Sequence, residues 1–318
     1  MNAVVVGGGS WGTAFSRVLA DRGHDVTLAT RDPEQARVIA ETSRNPRYLR
    51  SVDLRGVAAT TIAEAPLADA DVVVVAIPSR SFGEVVRALP GRAPILSLTK
   101  GLDPATGERL STLVRGRPVA VLSGPNMAEE VAEGLPTAAA IASEDLDLAE
   151  KLQDAINSLA FRVYVNPDLV GFELCAAAKN VIALAAGGVD GLGLGDNAKA
   201  AVITRGLAEM ARLGEAYGAR PETFSGLAGM GDLVVTCWSR HGRNRQAGEL
   251  IAQGATADEA VARIGMVVEG LTTAPVLRDL SHRRGIELPI TEGVCRVLDG
   301  ESLGALVAGL MGRQPTEE

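Results

Sequence analysis

The sequence predicts an α/β protein in which an N-terminal doubly wound domain is followed by an all-helical C-terminal domain. Three observations support this fold class. Apolar runs of strand length alternate with helical patterns in the first half, a glycine-rich turn follows the first run, and after Pro167 the chain is alanine-rich with no strand pattern. Strands that alternate with helices indicate a parallel sheet with helices on both faces. We place the two domains at residues 1–167 and 168–318.

The elements of the first domain begin with a buried strand at residues 2–6, and the next segment has the pattern of a helix that ends at Gly23. The valine-rich run at 71–77 is typical of a strand buried on both faces of a parallel sheet. Further strands are predicted at 25–30, 94–98, 118–123, 137–142 and 161–166, and further helices at 33–44, 81–89, 107–114, 127–133 and 147–159.

The second domain contains only helical patterns. Their spacing predicts two long helices, at residues 168–188 and 198–218. Shorter helices are predicted at 257–264, 273–285 and 291–300.

Composition and charge exclude several classes of function. A formal net charge of −8 gives no global electrostatic reason to bind nucleic acid or an anionic membrane. The three cysteines have no metal-binding spacing, so we expect no metal site and a reducing compartment. No run reaches the roughly 18 uninterrupted apolar residues of a membrane span. We therefore expect a cytoplasmic protein that acts on a small molecule.

The glycine-rich turn places Gly7, Gly9 and Gly12 at the positions of a G-x-G-x-x-G sequence, between a strand and a helix. The first glycine permits the tight turn, the second lets the backbone approach a pyrophosphate, and the third lets helix and strand pack closely. The free N–H groups and the dipole at the start of the helix then favour phosphate. This context predicts a dinucleotide-binding Rossmann domain.

The end of the second strand indicates which dinucleotide is bound. An acidic residue there accepts hydrogen bonds from a ribose 2′-hydroxyl and favours NAD. This chain has Arg31 at that point and Asp32 directly after it. Arg31 is suited to pair with a 2′-phosphate, which favours NADP, whereas Asp32 leaves NAD open.

Lys179 lies within an apolar helical pattern, because its neighbours three and four positions away are Cys175, Ala176, Ile182 and Ala183. A desolvated ammonium has a lowered pKa and can exchange a proton near neutrality. We therefore predict that Lys179 is catalytic. The alternative from the residues alone is a structural lysine paired with a buried carboxylate.

Three further positions carry candidate side chains. Lys100 follows a strand, at the sheet edge where open α/β folds bind ligands. Asp232 follows a glycine-rich turn, where the alternative is a helix N-cap. Arg243 and Asn244 have the chemistry to hold a phosphate, and their alternative is a solvated polar face.

A series of short segments between residue 3 and about residue 300 occurs in an order typical of one enzyme family. The segments are GGGSWGTA, IPS at 77–79, TKGL at 99–102, SGPNMAEE at 123–130, AAAKNVIALAAG, ITRGLAEMARLG, GLAGMGDLVVTC, GRNRQAGE, VVEG and LPITEGV. With these segments the chain resembles the bacterial, soluble NAD(P)-dependent glycerol-3-phosphate dehydrogenases.

The resemblance implies reversible hydride transfer between NAD(P)H and dihydroxyacetone phosphate, giving sn-glycerol 3-phosphate for phospholipid synthesis, by a homodimer. It makes Lys179 the proton donor to the ketone oxygen. It implies that the dinucleotide contacts Ser10, Trp11, Arg31, Lys100, Ala128, Arg243, Val267 and Glu269. It implies that the substrate contacts Lys100, Gly124, Asn126, Lys179, Asp232, Gly242, Arg243 and Asn244.

The chain departs from the family pattern at two of these positions. Asn126 stands where the family usually has threonine or serine, and Gly242 stands where it has the serine of SRNR. Asn126 can still form hydrogen bonds, but Gly242 offers only its backbone. We therefore expect weaker phosphate binding than is usual for the family, unless a neighbour substitutes.

Two other functions stay open at this stage. One is a different dehydrogenase with a Rossmann domain and a helical domain, because Lys179 and Asn180 fit those families too. The other is a non-catalytic NADP-sensing protein on the same fold. The segments GMGDLVVT and GRNR favour a glycerol-3-phosphate dehydrogenase over these alternatives. The three histidines do not form part of a Ser-His-Asp pattern.

Overall fold

The computed structural model describes residues 1–304 and 307. Its first part contains eight strands and the helices that connect them. The strands are β1 (Asn2–Val6), β2 (Asp25–Thr30), β3 (Val57–Thr61), β4 (Val72–Val75), β5 (Ile95–Ser97), β6 (Val119–Ser123), β7 (Thr137–Ala142) and β8 (Phe161–Asn166). The helices are α1 (Ser10–Asp21), α2 (Pro33–Thr42), α3 (Ser79–Ala88), α4 (Ala128–Ala132) and α5 (Leu146–Ile156).

All eight strands form one sheet in the order β3-β2-β1-β4-β5-β6-β7-β8. Every neighbouring pair is parallel except β6 and β7, which are antiparallel, so β7 and β8 run against the other six. The chain order reverses at β1 and β4, and the carboxyl ends of these two strands border the crevice in which open α/β folds bind ligands. The predicted α/β class is confirmed.

The valine runs form central strands because both faces of the sheet are covered. Val5 and Val74 belong to the apolar core on one face, with Phe15 of α1. Val4 and Val73 belong to the core on the opposite face, with Phe82 of α3. Alternate residues of one strand therefore pack into two different cores. For this reason the strand is apolar at every position and does not alternate between apolar and polar residues.

In this part of the chain one strand was not predicted and one predicted helix is wrong. Strand β3 was not predicted, because its sequence VAATT is short and its residues are mostly half-buried, as an edge strand allows. The helix predicted at 107–114 is only a 3₁₀ turn, Leu110–Leu113. This turn docks on the second part of the chain, since Ser111 N and Oγ both donate hydrogen bonds to Glu173.

The second part is helical throughout the described residues. Its helices are α6 (Leu169–Gly191), α7 (Gly195–Ala216), α8 (Pro221–Ser225), α9 (Asp232–Trp238), α10 (Arg243–Ala252), α11 (Ala257–Ile264), α12 (Glu269–Arg284) and α13 (Pro289–Leu298). A π-helical turn, Leu227–Gly231, joins α8 to α9. The end of the predicted second domain lies outside the described residues, apart from residue 307.

Helix α6 is the central helix of this part. By length and composition it could cross a membrane, but 89% of its most apolar window is buried inside the protein. Its first turns, through Leu169 and Phe172, pack on Val121 and Ala140 of the sheet. The next turns form the core of the helical part. The helix therefore runs from the sheet into the helical part and carries Lys179 between the two.

Candidate active site

The glycine turn between β1 and α1 is shaped to leave the start of the helix open. A Cβ on Gly7 would lie 2.3 Å from the carbonyl oxygen of Ala76, and one on Gly12 would lie 2.0 Å from that of Gly7. At Gly9, in contrast, an added Cβ would meet nothing within 4 Å. Among the described residues, no side chain caps the first N–H groups of α1. The turn thus presents unoccupied backbone donors to open space, as an anion site requires.

Trp11 follows directly in the first turn of α1. Its ring packs edge-on against Phe15, with the centroids 5.6 Å apart, and lies 6.4 Å from Phe161. Its Nε1 is buried and has no hydrogen-bond partner among the described residues. Ala128, the first residue of α4, packs on the same core. Trp11 is therefore part of the core and also carries an unused donor.

The end of β2 bears the two residues considered for the ribose. Arg31 is exposed and has no hydrogen bond or ion pair within the described part of the chain. Asp32 is the N-cap of α2, where its Oδ1 accepts from Glu34 N at 3.0 Å. Its Oδ2 pairs with Arg47. Both carboxylate oxygens of Asp32 are therefore engaged.

A cluster of three charged side chains lies where the sheet meets the helical part. Lys179 Nζ, on α6, is 2.6 Å from Asp232 Oδ1, and Lys100 Nζ, beyond β5, is 2.7 Å from Asp232 Oδ2. Asp232 is the first residue of α9 and is only 1% exposed. Its carboxylate also accepts hydrogen bonds from Thr236 Oγ1 and Ser123 Oγ. The N-cap alternative for Asp232 is wrong, because its side chain faces two ammonium groups instead of the helix N–H groups.

The charged groups in this cluster shift the pKa values of Lys179 and Asp232. Burial is the largest influence on Lys179 and, with the repulsion from Lys100, lowers its pKa to about 7, although Asp232 opposes the change. Burial also opposes the ionisation of Asp232, but the two ammonium groups outweigh it and hold the pKa of Asp232 below its ordinary value. Lys179 is thus both paired with a carboxylate and able to exchange a proton near neutrality.

Asn126 and Gly124 lie beside this cluster, after β6. Asn126 Oδ1 accepts from Lys100 Nζ at 3.0 Å. Since an ammonium can only donate, the facing atom is the amide oxygen, and Nδ2 is the spare donor. That Nδ2 is buried without a partner among the described residues. Gly124 has φ +146° and its Cβ would lie 2.9 Å from Ala139 Cα, so only glycine fits there.

Arg243 and Asn244 begin α10 and have different environments. Arg243 is exposed and its Nη1 donates to the carbonyl oxygen of Val267 at 3.0 Å. Asn244 is buried, donates to Asn180 Oδ1 at 2.9 Å and accepts from Gly270 N at 2.8 Å. Asn244 therefore joins α6, α10 and α12 next to Lys179. Of these two side chains, only the exposed guanidinium of Arg243 is accessible to a phosphate.

Glu269 opens α12 and reaches across to the sheet part. Its Oε2 accepts from Ser79 Oγ at 2.6 Å and its Oε1 from Ser79 N at 3.2 Å. Burial raises the pKa of Glu269, while the hydrogen bonds from Ser79 act in the opposite direction. Ser79 is the first residue of α3, the helix that follows β4, so this contact ties α12 to the side of the sheet where the strand order reverses.

Gly242 precedes α10 as its N-cap. Its N–H donates to Ser239 O and its carbonyl accepts from Gln246 N, so its backbone is fully used. A Cβ at this position would lie 2.7 Å from the carbonyl oxygen of Thr236. A serine cannot enter here unless the chain shifts.

The structure adds three residues that the sequence did not single out. Thr236 Oγ1 accepts from Lys179 Nζ at 2.7 Å, Ser123 donates to Asp232, and Ser79 donates to Glu269. Each lies inside or beside a segment that carries the resemblance. The helical spacing of Asp232 and Thr236, four positions apart, was the available signal for the first of them.

Two protein-family models together match almost the whole described chain. The model described as NAD-dependent glycerol-3-phosphate dehydrogenase N-terminus matches residues 2–149. The one described as NAD-dependent glycerol-3-phosphate dehydrogenase C-terminus matches residues 168–305.

Individual proteins of the same kind are similar over nearly their full length. The chain is 46% identical to a glycerol-3-phosphate dehydrogenase [NAD(P)+] of Moorella thermoacetica, over 99% of this chain and 96% of that protein. It is also 46% identical to the protein of that name from Geobacillus thermodenitrificans, over 100% and 96%. A crystal structure of glycerol-3-phosphate dehydrogenase from Coxiella burnetii superposes with a TM-score of 0.94 at 37% identity, covering 98% of this chain and 99% of that one.

Proposed function

The chain belongs to the NAD-dependent glycerol-3-phosphate dehydrogenase family, and we propose how its own residues perform that family's reaction. As a member it is an oxidoreductase that reduces dihydroxyacetone phosphate to glycerol 3-phosphate, reversibly, with NAD or NADP. One observation carries the assignment of roles. A buried lysine with a pKa of about 7 lies in the same cluster as an unpartnered amide donor, beyond the carboxyl ends of β5 and β6.

The residues at the glycine turn fit a dinucleotide. The open space at Gly9 and the uncapped N–H groups of α1 suit a pyrophosphate. Trp11, in the first turn of the same helix, is assigned to the dinucleotide as well, and its buried Nε1 is an unused donor. Ser10, Ala128, Val267 and Glu269 are assigned to the dinucleotide with them. The bound nicotinamide supplies the hydride, which the side chains of this chain cannot supply.

Lys179 donates the proton to the ketone oxygen. Negative charge develops on that oxygen during reduction, and an ammonium beside it stabilises the charge and then transfers a proton. Because its pKa is about 7, Lys179 Nζ releases the proton more readily than an ordinary lysine does. Asp232 and Thr236 hold Nζ through contacts of 2.6 and 2.7 Å, which leaves its third proton for the substrate.

Lys100 and Asn126 bind the substrate's oxygen atoms. Lys100 is 18% exposed and adds positive charge next to Lys179. The spare Nδ2 of Asn126 needs an acceptor, and a hydroxyl, carbonyl or phosphate oxygen of the substrate would satisfy it. The amide thus takes over the hydrogen bonding of the hydroxyl that is usual in the family.

The exposed guanidinium of Arg243 binds the phosphate of the substrate. A charge-assisted, two-pronged contact is the usual way in which arginine holds a phosphate. Anchoring the phosphate fixes the carbonyl carbon relative to the site and so reduces the entropic cost of reaction. Asn244 and Gly124 shape the site through their backbone and hydrogen bonds. At Gly242 no hydroxyl is available, and the expectation of weaker phosphate binding stays a prediction.

The experiment is steady-state oxidation of NADPH, and separately of NADH, with dihydroxyacetone phosphate. We expect Lys179→Ala to lower kcat by at least about 100-fold, the range over which general acids contribute. Binding of the dinucleotide, followed by tryptophan fluorescence, should persist in this variant. Lys151→Ala, on the exposed side of α5, is the matched control and should leave kcat unchanged.

Two outcomes would overturn the assignment. If the wild-type chain binds NADPH but does not reduce this ketone, the substitutions at Asn126 and Gly242 have changed the substrate or abolished catalysis. If Lys179→Ala retains kcat, the proton comes from another group and Lys179 is a structural partner of Asp232.

The setting of the enzyme is also a proposal. We propose a cytoplasmic homodimer that provides glycerol 3-phosphate for phospholipid synthesis. The burial of α6 within the fold favours the first part of this proposal, since the one described helix that is long and apolar enough to span a membrane is packed inside the protein. Light scattering on the purified protein tests the dimer, and a monomer at micromolar concentration would contradict it.

A further inference from the structure

The side chain of Asn45 ties the segment after α2 to the glycine turn. Asn45 is fully buried. Its Nδ2 donates to Gly8 O at 3.0 Å and to Thr13 Oγ1 at 2.8 Å. Its Oδ1 accepts from the backbone N–H groups of Arg47 and Tyr48, at 3.0 and 3.2 Å. The backbone at Arg47 is therefore held at a fixed place relative to the turn that receives the pyrophosphate.

Gln35 reinforces this connection from within α2. Its Nε2 donates to Gly8 O at 2.7 Å and to Asn45 Oδ1 at 3.1 Å. Gln35 lies three residues after Asp32, so the end of β2, the start of α2 and the turn at Asn45 form one hydrogen-bonded unit. Buried polar groups that are fully satisfied in this way make a local structure rigid.

The side chain of Arg47 returns from this unit to the end of β2, where it pairs with Asp32. The carboxylate of Asp32 would otherwise do two things there. It would accept hydrogen bonds from a ribose 2′-hydroxyl, and it would repel a phosphate at the same place. With Oδ1 on Glu34 N and Oδ2 on Arg47, both oxygens are engaged, and the ion pair with Arg47 has no net charge.

Arg31 is then the cation that gives the end of β2 its positive charge. Arg31 has no hydrogen bond or ion pair within the described residues, and the pair of Arg47 with Asp32 is neutral, so one positive charge is left at the end of β2. The guanidinium of Arg47 has more N–H donors than its pair with Asp32 uses. Its side chain is more than half exposed, so these donors are accessible.

We propose that Arg47 determines dinucleotide specificity, by neutralising Asp32 and by adding donors next to Arg31 for a phosphate on the ribose 2′-oxygen. This inference rests on the proposed dinucleotide site and adds that the site selects NADP over NAD. Arg47 acts through charge at a position that Asn45 fixes, and it has no part in the chemistry at Lys179.

The test is calorimetric binding of NADP⁺ and of NAD⁺ to the full chain, with no substrate present. We expect Arg47→Gln to raise the Kd for NADP⁺ about tenfold or more, since a hydrogen bond to a charged group is worth about 1.5–3 kcal/mol. The Kd for NAD⁺ should stay the same or fall, because NAD⁺ has no 2′-phosphate to lose a contact and the freed carboxylate of Asp32 can accept hydrogen bonds from its ribose 2′-hydroxyl. Arg50→Gln, an exposed arginine three residues further on, is the matched control and should change neither Kd.

A double variant separates the two parts of the effect. In Arg47→Gln the carboxylate of Asp32 is left unpaired and repels the phosphate. Adding Asp32→Asn removes that charge and retains an N-cap residue, so NADP⁺ affinity should recover in part. If Arg47→Gln weakens both dinucleotides equally, or neither, or if the wild-type chain prefers NAD⁺, the inference is wrong. If the wild-type chain binds no dinucleotide at all, the proposed function fails instead.

Discussion

The Nζ of Lys179 lies 2.6 Å from Oδ1 of Asp232, and this contact joins the central helix α6 to the start of α9. The second oxygen of the same carboxylate binds Lys100, which belongs to the sheet part. One buried carboxylate therefore lies between two ammonium groups that come from different parts of the fold. The cluster carries a net charge of plus one when both lysines are protonated, which suits an anionic substrate.

The first prediction concerns the pH dependence of the reaction. Reduction of the ketone needs Lys179 in its protonated form, and its pKa of about 7 means that this form is lost as the pH rises through 7. We expect kcat/KM for dihydroxyacetone phosphate to fall tenfold per pH unit above that value, and kcat/KM for oxidation of glycerol 3-phosphate to rise through the same range. Initial rates between pH 5.5 and 9 in both directions measure this.

The control for the pH profile is Lys179→Arg. A guanidinium stays protonated throughout this range, so the variant should have a low rate with no break near neutrality. A wild-type profile that is flat from pH 6 to 9 would show that the proton transfer is not limited by Lys179.

The second prediction concerns Asp232→Asn. This change removes the main influence that keeps Lys179 protonated, while burial and the charge of Lys100 still act to lower its pKa. The break in kcat/KM for reduction should move to lower pH by about one unit or more. Unfolding should also need less denaturant, because removal of one partner of a buried ion pair costs about 3–5 kcal/mol.

Asp147→Asn, at an exposed position in the first turn of α5, is the control for that change. It should alter neither the pH profile nor the unfolding midpoint by a measurable amount. If Asp232→Asn lowers stability but leaves the break at its original pH, Asp232 holds the fold together and does not set the protonation of Lys179.

The third prediction concerns the hydroxyl of Thr236, which accepts from Lys179 and donates to Asp232. Thr236→Val keeps the shape of the side chain and removes this link, so Lys179 is oriented by Asp232 alone. We expect kcat to fall about tenfold, the value of one hydrogen bond to a charged group, with little change in KM. Thr236→Ser should restore most of the rate. A valine variant that keeps the rate beside a serine variant that loses it would point to packing of the methyl group instead of hydrogen bonding.

Much of this site was predictable from the sequence because its residues lie within distinctive segments. The glycine turn follows from the strand before it and the helix after it, and Lys179 is prominent as a lysine on an apolar helical face. The same local information left the role of Asp232 ambiguous. A single aspartate after glycines is equally suited to cap a helix, and only the fold brings it to Lys100, which is 132 positions away.

The parts that could not be predicted depend on contacts between distant segments. Glu269 and Ser79 are 190 positions apart and meet only because α12 folds back onto the end of β4. Arg47 lies in a segment with no helical or strand pattern, and its relation to Asp32 depends on hydrogen bonds of Asn45 that the sequence does not reveal. Strand β3 was missed since an edge strand lacks the apolar run that identifies the central ones.

The fourth prediction concerns Gly242, where the resemblance leads us to expect serine. From the sequence, Gly242→Ser should lower the KM for dihydroxyacetone phosphate by restoring a hydroxyl near the phosphate. The structure adds a cost, because the new Cβ would lie 2.7 Å from Thr236 O and 3.1 Å from Ser239 O. Thr236 belongs to the lysine cluster, so a shift there would also disturb Lys179. We expect Gly242→Ser to lose about 1–3 kcal/mol of stability through overpacking.

Gly242→Ala separates the hydroxyl from the crowding, because it introduces the same Cβ without the oxygen. We expect the alanine and serine variants to lose similar stability in urea unfolding, since the clash is common to both. The KM of the serine variant should be lower than that of the alanine variant, because only serine adds a donor for the phosphate. Equal KM values in the two variants would mean that the phosphate does not approach residue 242, and that Arg243 alone anchors it at this end of α10.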